Sequence, residues 1–388
     1  MKNTPRIYDT LITVLRQCRR WLDIRHMKTL AWMVTGLLLT EKIGLSAWVP
    51  VVDSRAVYAQ STVRRFVRWL DNERINVCAL YGPLIEQALA DWGDYRLRLA
   101  LDTSLLWGQY CIVRISVIYR GRAVPLVWTV LEHGSSSVAY SVYAHLLEAA
   151  AKLVPAECAV VFLADRGFAD TELMQHLKRL GWHWRIRIKG SFLVYYQGKL
   201  HKLQDVKLAQ GQARFWHKVW ITQQYFGPVH LALARPNGLR ECWYVISDEP
   251  TDMDTFTEYG ARFDIEENFL DDKSNGFQLE SSLIRSAQAL TRLCLVLAVA
   301  TLYLVAQGTA VVACGKRRWV DPHWFRGNSY LRIGWQWVKT ALYKKGLKLI
   351  THLHLSGKPD PEPSRASNKQ FHKRRQRQIQ AISSNLSA

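Results

Sequence analysis

The segment from Tyr95 to Gly190 constrains the fold more than any other part of this chain. Three runs rich in β-branched and aromatic residues, "RLRLALDTS", "YCIVRISVIYR" and "AVPLVWTVLE", are separated only by "LLWGQ" and "GR", which reads as a three-stranded meander. After them "SSSVAYSVYAHLLEAAAKLV" carries a helical period, and "CAVVFLAD" reads as a buried strand. "DTELMQHLKRLG" follows as a helix ended by Gly181, and "HWRIRIKG" as a further strand. The order β-β-β-α-β-α-β requires an α/β fold, a mixed sheet with helices on its faces.

That order is the one of a ribonuclease-H-like (RNase-H-like) core, and the flanking segments divide the chain around it. Residues 1–95 read as a helical domain, 96–190 as the first part of the core, and 191–250 as an inserted β subdomain of alternating runs such as "FLVYYQGKL" and "ECWYVISD". Residues 251–345 complete the core with a helical extension, including one helix over 252–273 and another over 285–312. The most apolar run, "LCLVLAVATLYLVA", has 14 residues from Leu293 to Ala306, short of the roughly 20 that cross a bilayer. It reads as a core helix, with no membrane partner. Residues 346–388, rich in Pro, Ser and cations, read as a basic disordered tail.

The formal charge is +20 and the pI near 9.8, and a surface this basic gathers phosphates. Nucleic acid is the leading partner. From Ala310 to Ala388 there are 16 Lys and Arg against 3 Asp and Glu, and residues 1–98 hold 15 against 9, so the middle is nearly neutral. In "QSTVRRFVRWLDN", Val63, Phe66, Val67 and Leu70 recur at helical spacing, with Ser61 or Thr62 placed to cap the start. Arg64, Arg65 and Arg68 point away from that packed face, which makes them candidate DNA contacts. The seven cysteines show no close C-x-x-C spacing, and the N-terminus lacks a signal peptide's apolar core. Both fit a reducing cytoplasm.

Candidate chemistry lies in three carboxylates. Asp102 follows "RLRLAL" and Asp165 follows "AVVFLA", so each is expected at the end of an apolar strand, where an ionised group is expensive unless it does something. A pair of this kind suits Mg²⁺, which takes hard oxygen ligands and serves phosphoryl transfer in two-ion sites. The stretch "YGARFDIEENFLDDK", residues 259–273, offers a third. On one continuous helix Tyr259, Arg262, Glu266 and Lys273 share a narrow face, while Asp264, Glu267 and Asp271 point to solvent. A plain Arg262–Glu266 ion pair at i, i+4 accounts for part of this pattern. It leaves a Tyr and a Lys beside the same carboxylate, donors suited to phosphate oxygens.

The spacing Y-x2-R-x3-E-x6-K, with "LALDTS", "YRGRAVPLVW", "LADRGFAD" and "RIRIKGS" before it, resembles insertion-sequence transposases of the IS-four family, within the DDE superfamily. The resemblance covers roughly residues 20 to 310. It implies a metal-binding catalytic triad of Asp102, Asp165 and Glu266 with two Mg²⁺ ions, replaceable by Mn²⁺, and phosphate contacts from Tyr259, Arg262 and Lys273. It also implies that Trp243 stacks a flipped base, a role for which Trp216 and Trp220 compete. The implied protein binds double-stranded DNA, both element ends and target, as a homodimer assembled on DNA in a bacterial cytoplasm, on the nucleoid. It would cut and paste through a hairpin. Phe263 stands where the family often has Trp, and little chain follows the core for a separate dimerisation domain. Two other readings use the same residues: a transposase-derived DNA-binding regulator without turnover, and another RNase-H-like nuclease.

Overall fold

The computed structural model describes residues 5–18, 20–54, 56–238, 241–323 and 326–361. Four helices open the chain: α1 (Arg6–Arg16), α2 (Ile24–Thr40), α3 (Ala59–Leu70) and α4 (Val77–Ala88). Asp23 caps α2 by accepting from Arg25 N, and Asn76 caps α4 by accepting from Ala79 N. α3 departs from its expected form. It begins after Tyr58 without a side-chain cap, and its buried residues are Thr62, Phe66, Trp69 and Leu70. Trp69 turns the face, because its indole is buried and donates to the His26 carbonyl at 3.0 Å; Val63 and Val67 are left only partly covered.

The meander follows as β1 (Arg96–Leu106), β2 (Tyr110–Tyr119) and β3 (Arg122–Glu132). Arg120 and Gly121 both have positive φ, 50° and 79°, the two-residue turn that suits the twist of a tight hairpin. Then come α5 (Tyr140–Ala151), β4 (Ala159–Ala164), α6 (Thr171–Arg179) and β5 (His183–Arg187), in the expected order. β1, β4 and β5 run parallel, while β2 and β3 are antiparallel to their neighbours.

The next strands are β6 (Leu193–Tyr196), β7 (Lys199–Lys202), β8 (Ala213–Ile221), β9 (Phe226–Ala234) and β10 (Trp243–Ser247). They do not form a separate sheet. β10 pairs with β5, so a single ten-stranded mixed sheet runs β3-β2-β1-β4-β5-β10-β9-β8-β6-β7. The expected helix over 252–273 is likewise not continuous. It is divided into α7 (Met253–Gly260) and α8 (Phe263–Leu270), and α8 passes into a π turn over Asp271–Asn275.

α9 (Ala287–Ala313) lies where the helix over 285–312 was expected, and by length and composition alone it is able to cross a membrane. The protein itself covers it, with 94% of its most apolar window buried. One hydrophobic core extends from Ile7 through the sheet and α9 to α10 (Tyr330–Tyr343), so the helices of residues 1–95 share the core of the sheet. Residues 346–361, expected as the start of a disordered tail, are also packed. Leu347, Leu353 and Leu355 are buried, and Leu355 N donates to the Ala88 carbonyl at 2.8 Å. These spaced leucines anchor an otherwise polar, basic stretch; the rest of that expectation, 362–388, lies outside the described residues.

α9 and α10 touch backbone to backbone through Gly308 and Gly334. A Cβ on Gly334 would fall 2.8 Å from the Leu304 carbonyl carbon and 3.0 Å from Gly308 N. Gly334→Ala should therefore force the helices apart and cost about 1–3 kcal/mol. Thermal denaturation checks this, and an unchanged melting temperature would rule out a rigid crossing.

Candidate active site

Parallel pairing of β1 with β4 aligns Leu101 with Ala164, so the following residues, Asp102 and Asp165, lie side by side. Their settings differ. Asp165 leaves β4 at its end, as expected, and leads into a short turn at Arg166–Phe168. Asp102 is not at a strand end: β1 continues to Leu106 because Thr103 to Leu106 still pair with β2, and Asp102 itself faces Arg114 across that pairing.

The break between α7 and α8 puts Arg262 at the junction, where it is 3% exposed. One guanidinium nitrogen donates to Asp102 Oδ2 at 3.1 Å and the other terminal nitrogen to Glu266 Oε1 at 2.6 Å. The fully buried Tyr259 sends its hydroxyl to Asp165 Oδ1 at 3.3 Å. Three carboxylates from β1, the end of β4 and α8 thus gather around one buried cation and one phenol. Burial pushes the Asp102 carboxyl up to about 6, against the pull of Arg262, and the nearby Glu266 and Asp165 push the same way. Burial likewise raises the Tyr259 hydroxyl to about 12. Arg262 is driven higher still: burial opposes its charge, but Tyr259, Asp102 and Glu266 outweigh that.

The oxygen-only donor set of Asp102, Asp165 and Glu266 fits a hard divalent cation, and the buried Arg262 guanidinium already spans two of its members. Among the described residues a tighter group is His183, Asp248 and Glu249, whose ligand atoms all lie within 4.8 Å. It is a different place, at the other end of β5 and β10, and Glu249 is already held there by Arg96 at 2.6 Å and Arg185 at 2.7 Å.

Other expected site residues fare unequally. Lys273 lies in the π turn and its Nζ donates to the Leu105 carbonyl, so it is tied to the end of β1. Asp264, Glu267 and Asp271 do not simply face solvent, because their flank of α8 lies over the β2–β3 turn. Arg122 reaches Asp271 at 3.1 Å and Glu267 at 3.7 Å, and burial pushes Asp264 up to about 7. Trp243 opens β10, half-buried, edge-on to Tyr259 at 5.8 Å and near Phe263 at 6.1 Å. Trp216 is buried against Tyr196 at 4.7 Å, and Trp220 is 40% exposed near the far end of β8, so of the three only Trp243 adjoins Tyr259. On α3, Arg64 and Arg68 are exposed. Arg65 is not a free surface cation: it is half-buried over the Phe66 ring at 5.3 Å, two of its nitrogens lack hydrogen-bond partners, and burial lowers its pKa.

Reading the sequence missed Arg114 and Asp272. Their side chains are each 1% exposed and meet at 2.6 Å, and Arg114 also donates to Asn268 Oδ1 at 2.8 Å. The signal was present in "YCIVRISVIY", where an arginine inside an apolar strand demands a buried partner. Asp272→Leu alone should destabilise by about 3–5 kcal/mol by stranding Arg114, whereas Arg114→Met with Asp272→Leu should recover most of the loss. Denaturant titrations of the single and double variants check this, and additive losses would refute a coupled pair.

A family model described as Transposase DDE domain matches residues 109–303, half of the chain, a stretch that includes Asp165 and Glu266 and begins just after Asp102. No curated protein sequence matches. Among solved structures, a piggyBac transposase synaptic complex with hairpin DNA is similar at TM-score 0.48 and 11% identity, over 89% of this chain and 81% of that one. On the strength of the family match, the chain belongs to the transposase DDE domain family.

Proposed function

We propose that this protein is the DNA transposase of a bacterial insertion sequence of the IS-four type, with an RNase-H-like core. It binds the element's terminal inverted repeats, cleaves the ends and joins them to target DNA, by cut-and-paste through a hairpin. The observation that carries the reading is that Asp102 and Glu266 share the buried Arg262 while Asp165, side by side with Asp102, accepts from Tyr259. Two Mg²⁺ ions, or Mn²⁺ in their place, held by these three carboxylates would supply an activated water or 3′ hydroxyl and a stabilised leaving oxygen.

The chain's own groups do the rest. Arg262 can exchange Asp102 for a phosphate oxygen while keeping Glu266, since its fork offers several donors. The Tyr259 hydroxyl stays protonated at neutral pH and remains a donor to phosphate or to Asp165. Lys273, held at the end of β1, adds positive charge near the scissile strand. Arg64 and Arg68 stand on an exposed helix face, where they would contact the element end as part of a helical DNA-binding region. The active assembly is a homodimer on DNA, working on the nucleoid in the bacterial cytoplasm.

Asp102→Asn, Asp165→Asn and Glu266→Gln should each abolish end cleavage while leaving end binding intact, and EDTA should do the same to the parent protein. Metal affinity should also weaken as pH drops through about 6, because a proton on Asp102 then competes with the metal, so cleavage at limiting Mg²⁺ should fall there and excess Mg²⁺ should shift the fall to lower pH. Assaying a donor plasmid for excision and integration tests all of this, and normal nicking by Glu266→Gln or in EDTA would refute it. Excision without integration would favour another nuclease; binding without excision would favour a regulator.

Trp243 makes a separate prediction from its place beside Tyr259. An unstacked terminal base held on its ring gains about 1–3 kcal/mol, so Trp243→Ala should nick normally and accumulate nicked ends with few hairpins. If the ring serves only packing, truncation should cost about 3–5 kcal/mol and slow every step alike. A time course of nicked, hairpin and free ends beside a melting curve decides.

A further inference from the structure

Far from the carboxylates, the sheet ends in an exposed aromatic row. Tyr195 on β6 lies directly opposite Leu200 on β7 and Trp220 on β8, and residues so paired project from the same face. The neighbouring pair Val194 and Ile221 is fully buried, so the Leu200–Tyr195–Trp220 row forms the outer face. The β8–β9 turn folds Tyr225 back onto this row, its ring stacked on Tyr195 at 4.1 Å and 25°. Leu200, Trp220 and Tyr225 are 52%, 40% and 58% exposed. Thr222 and Tyr225 both adopt left-handed backbone, φ 63° and 53°, which is costly for residues with a Cβ. Here that strain presents a tyrosine to solvent.

Charge selects the occupant. Between residues 191 and 230 there are five Lys and Arg against one Asp, and Lys199, Lys202 and Lys218 are exposed. A second copy docking by a two-fold axis would bring these cations towards their own images. Duplex DNA keeps its base faces inside the stack. An unpaired strand offers phosphates for the lysines and open base faces for the rings.

We propose that this face binds single-stranded DNA, with bases stacking on Tyr195, Trp220 and Tyr225 and phosphates meeting Lys202, which shares the Leu200 side of β7, and Lys218. The inference rests on DNA being the substrate, as proposed above. β6 is six strand positions from β1 in the sheet, roughly 29 Å at about 4.8 Å per strand, so the face is distinct from the carboxylate centre.

The test is fluorescence anisotropy of the full chain with a labelled oligothymidylate of roughly 16 nucleotides and with a duplex of equal length. Tyr195→Ser with Trp220→Ser and Tyr225→Ser should weaken single-strand binding at least about tenfold and leave duplex binding and end cleavage near the parent values. Lys202→Gln with Lys218→Gln, which touches no ring, should lower the salt dependence of single-strand binding by roughly one unit of slope. Tyr195→Phe with Tyr225→Phe, which keeps the rings, should bind like the parent. Equal single-strand affinity in the parent and the ring-deleted variant overturns the proposal, and so does a parent dimer in sedimentation that dissociates in that variant while its single-strand binding stays unchanged. Absence of end cleavage by the parent would instead remove the transposase reading, and the anisotropy would still decide this face.

Discussion

The buried Arg114–Asp272 ion pair is the constraint on which the rest of the site depends. Taking two charges out of water is expensive, and only close, well-directed contact offsets it. Arg114 comes from the middle of β2 and Asp272 from the π turn after α8, and the pair is almost wholly excluded from solvent. α8 therefore cannot slide or roll on the sheet without stranding a charge in the core. Because Arg114 lies opposite Asp102 in the β1–β2 pairing, the same contact that pins α8 sets where Glu266 and Arg262 stand relative to that carboxylate.

The arginines also sort the carboxylates of this region. Arg114 takes Asp272, and Arg122 takes Asp271 and approaches Glu267. What remains toward the end of β4 is Asp102, Asp165 and Glu266, shared by Arg262 and Tyr259. A dense acidic helix is thereby reduced to a defined set of hard oxygen donors. Arg262 is held at both terminal nitrogens, and burial raises the Asp102 carboxyl to about 6 against its pull.

The core that holds this arrangement is continuous with the N-terminal helices. Arg292 of α9 donates to the Leu70 carbonyl at the end of α3, and Trp335 of α10 donates to the Leu38 carbonyl of α2. Arg64 and Arg68 thus stand on a helix tied to the core of the sheet rather than on a separate module.

Much was legible in the sequence. Strand and helix order through residue 190 follows from local periodicity, and Asp102, Asp165 and Glu266 emerge from apolar strands and a polar spacing that a single pass can read. Local pattern cannot see pairing. It stopped β1 at Asp102 because only β2 shows that the strand goes on, and it drew one regular helix where the turn at Ala261 and Arg262 tightens between two. It rotated the packed face of α3, since the hydrogen bond from Trp69 to His26 lies between residues far apart in the chain. It read residues 346–361 as tail because what covers their leucines lies elsewhere in the chain: Leu347 packs with Val311 of α9 and with Ile333 and Trp337 of α10, and Leu355 bonds Ala88 of α4. The sequence by itself determined the order of elements and the kinds of residue at their ends, because those depend on neighbours a few positions away. Tertiary structure alone decided which carboxylates converge and which arginine holds each, because a buried charge is tolerated only where distant segments meet it.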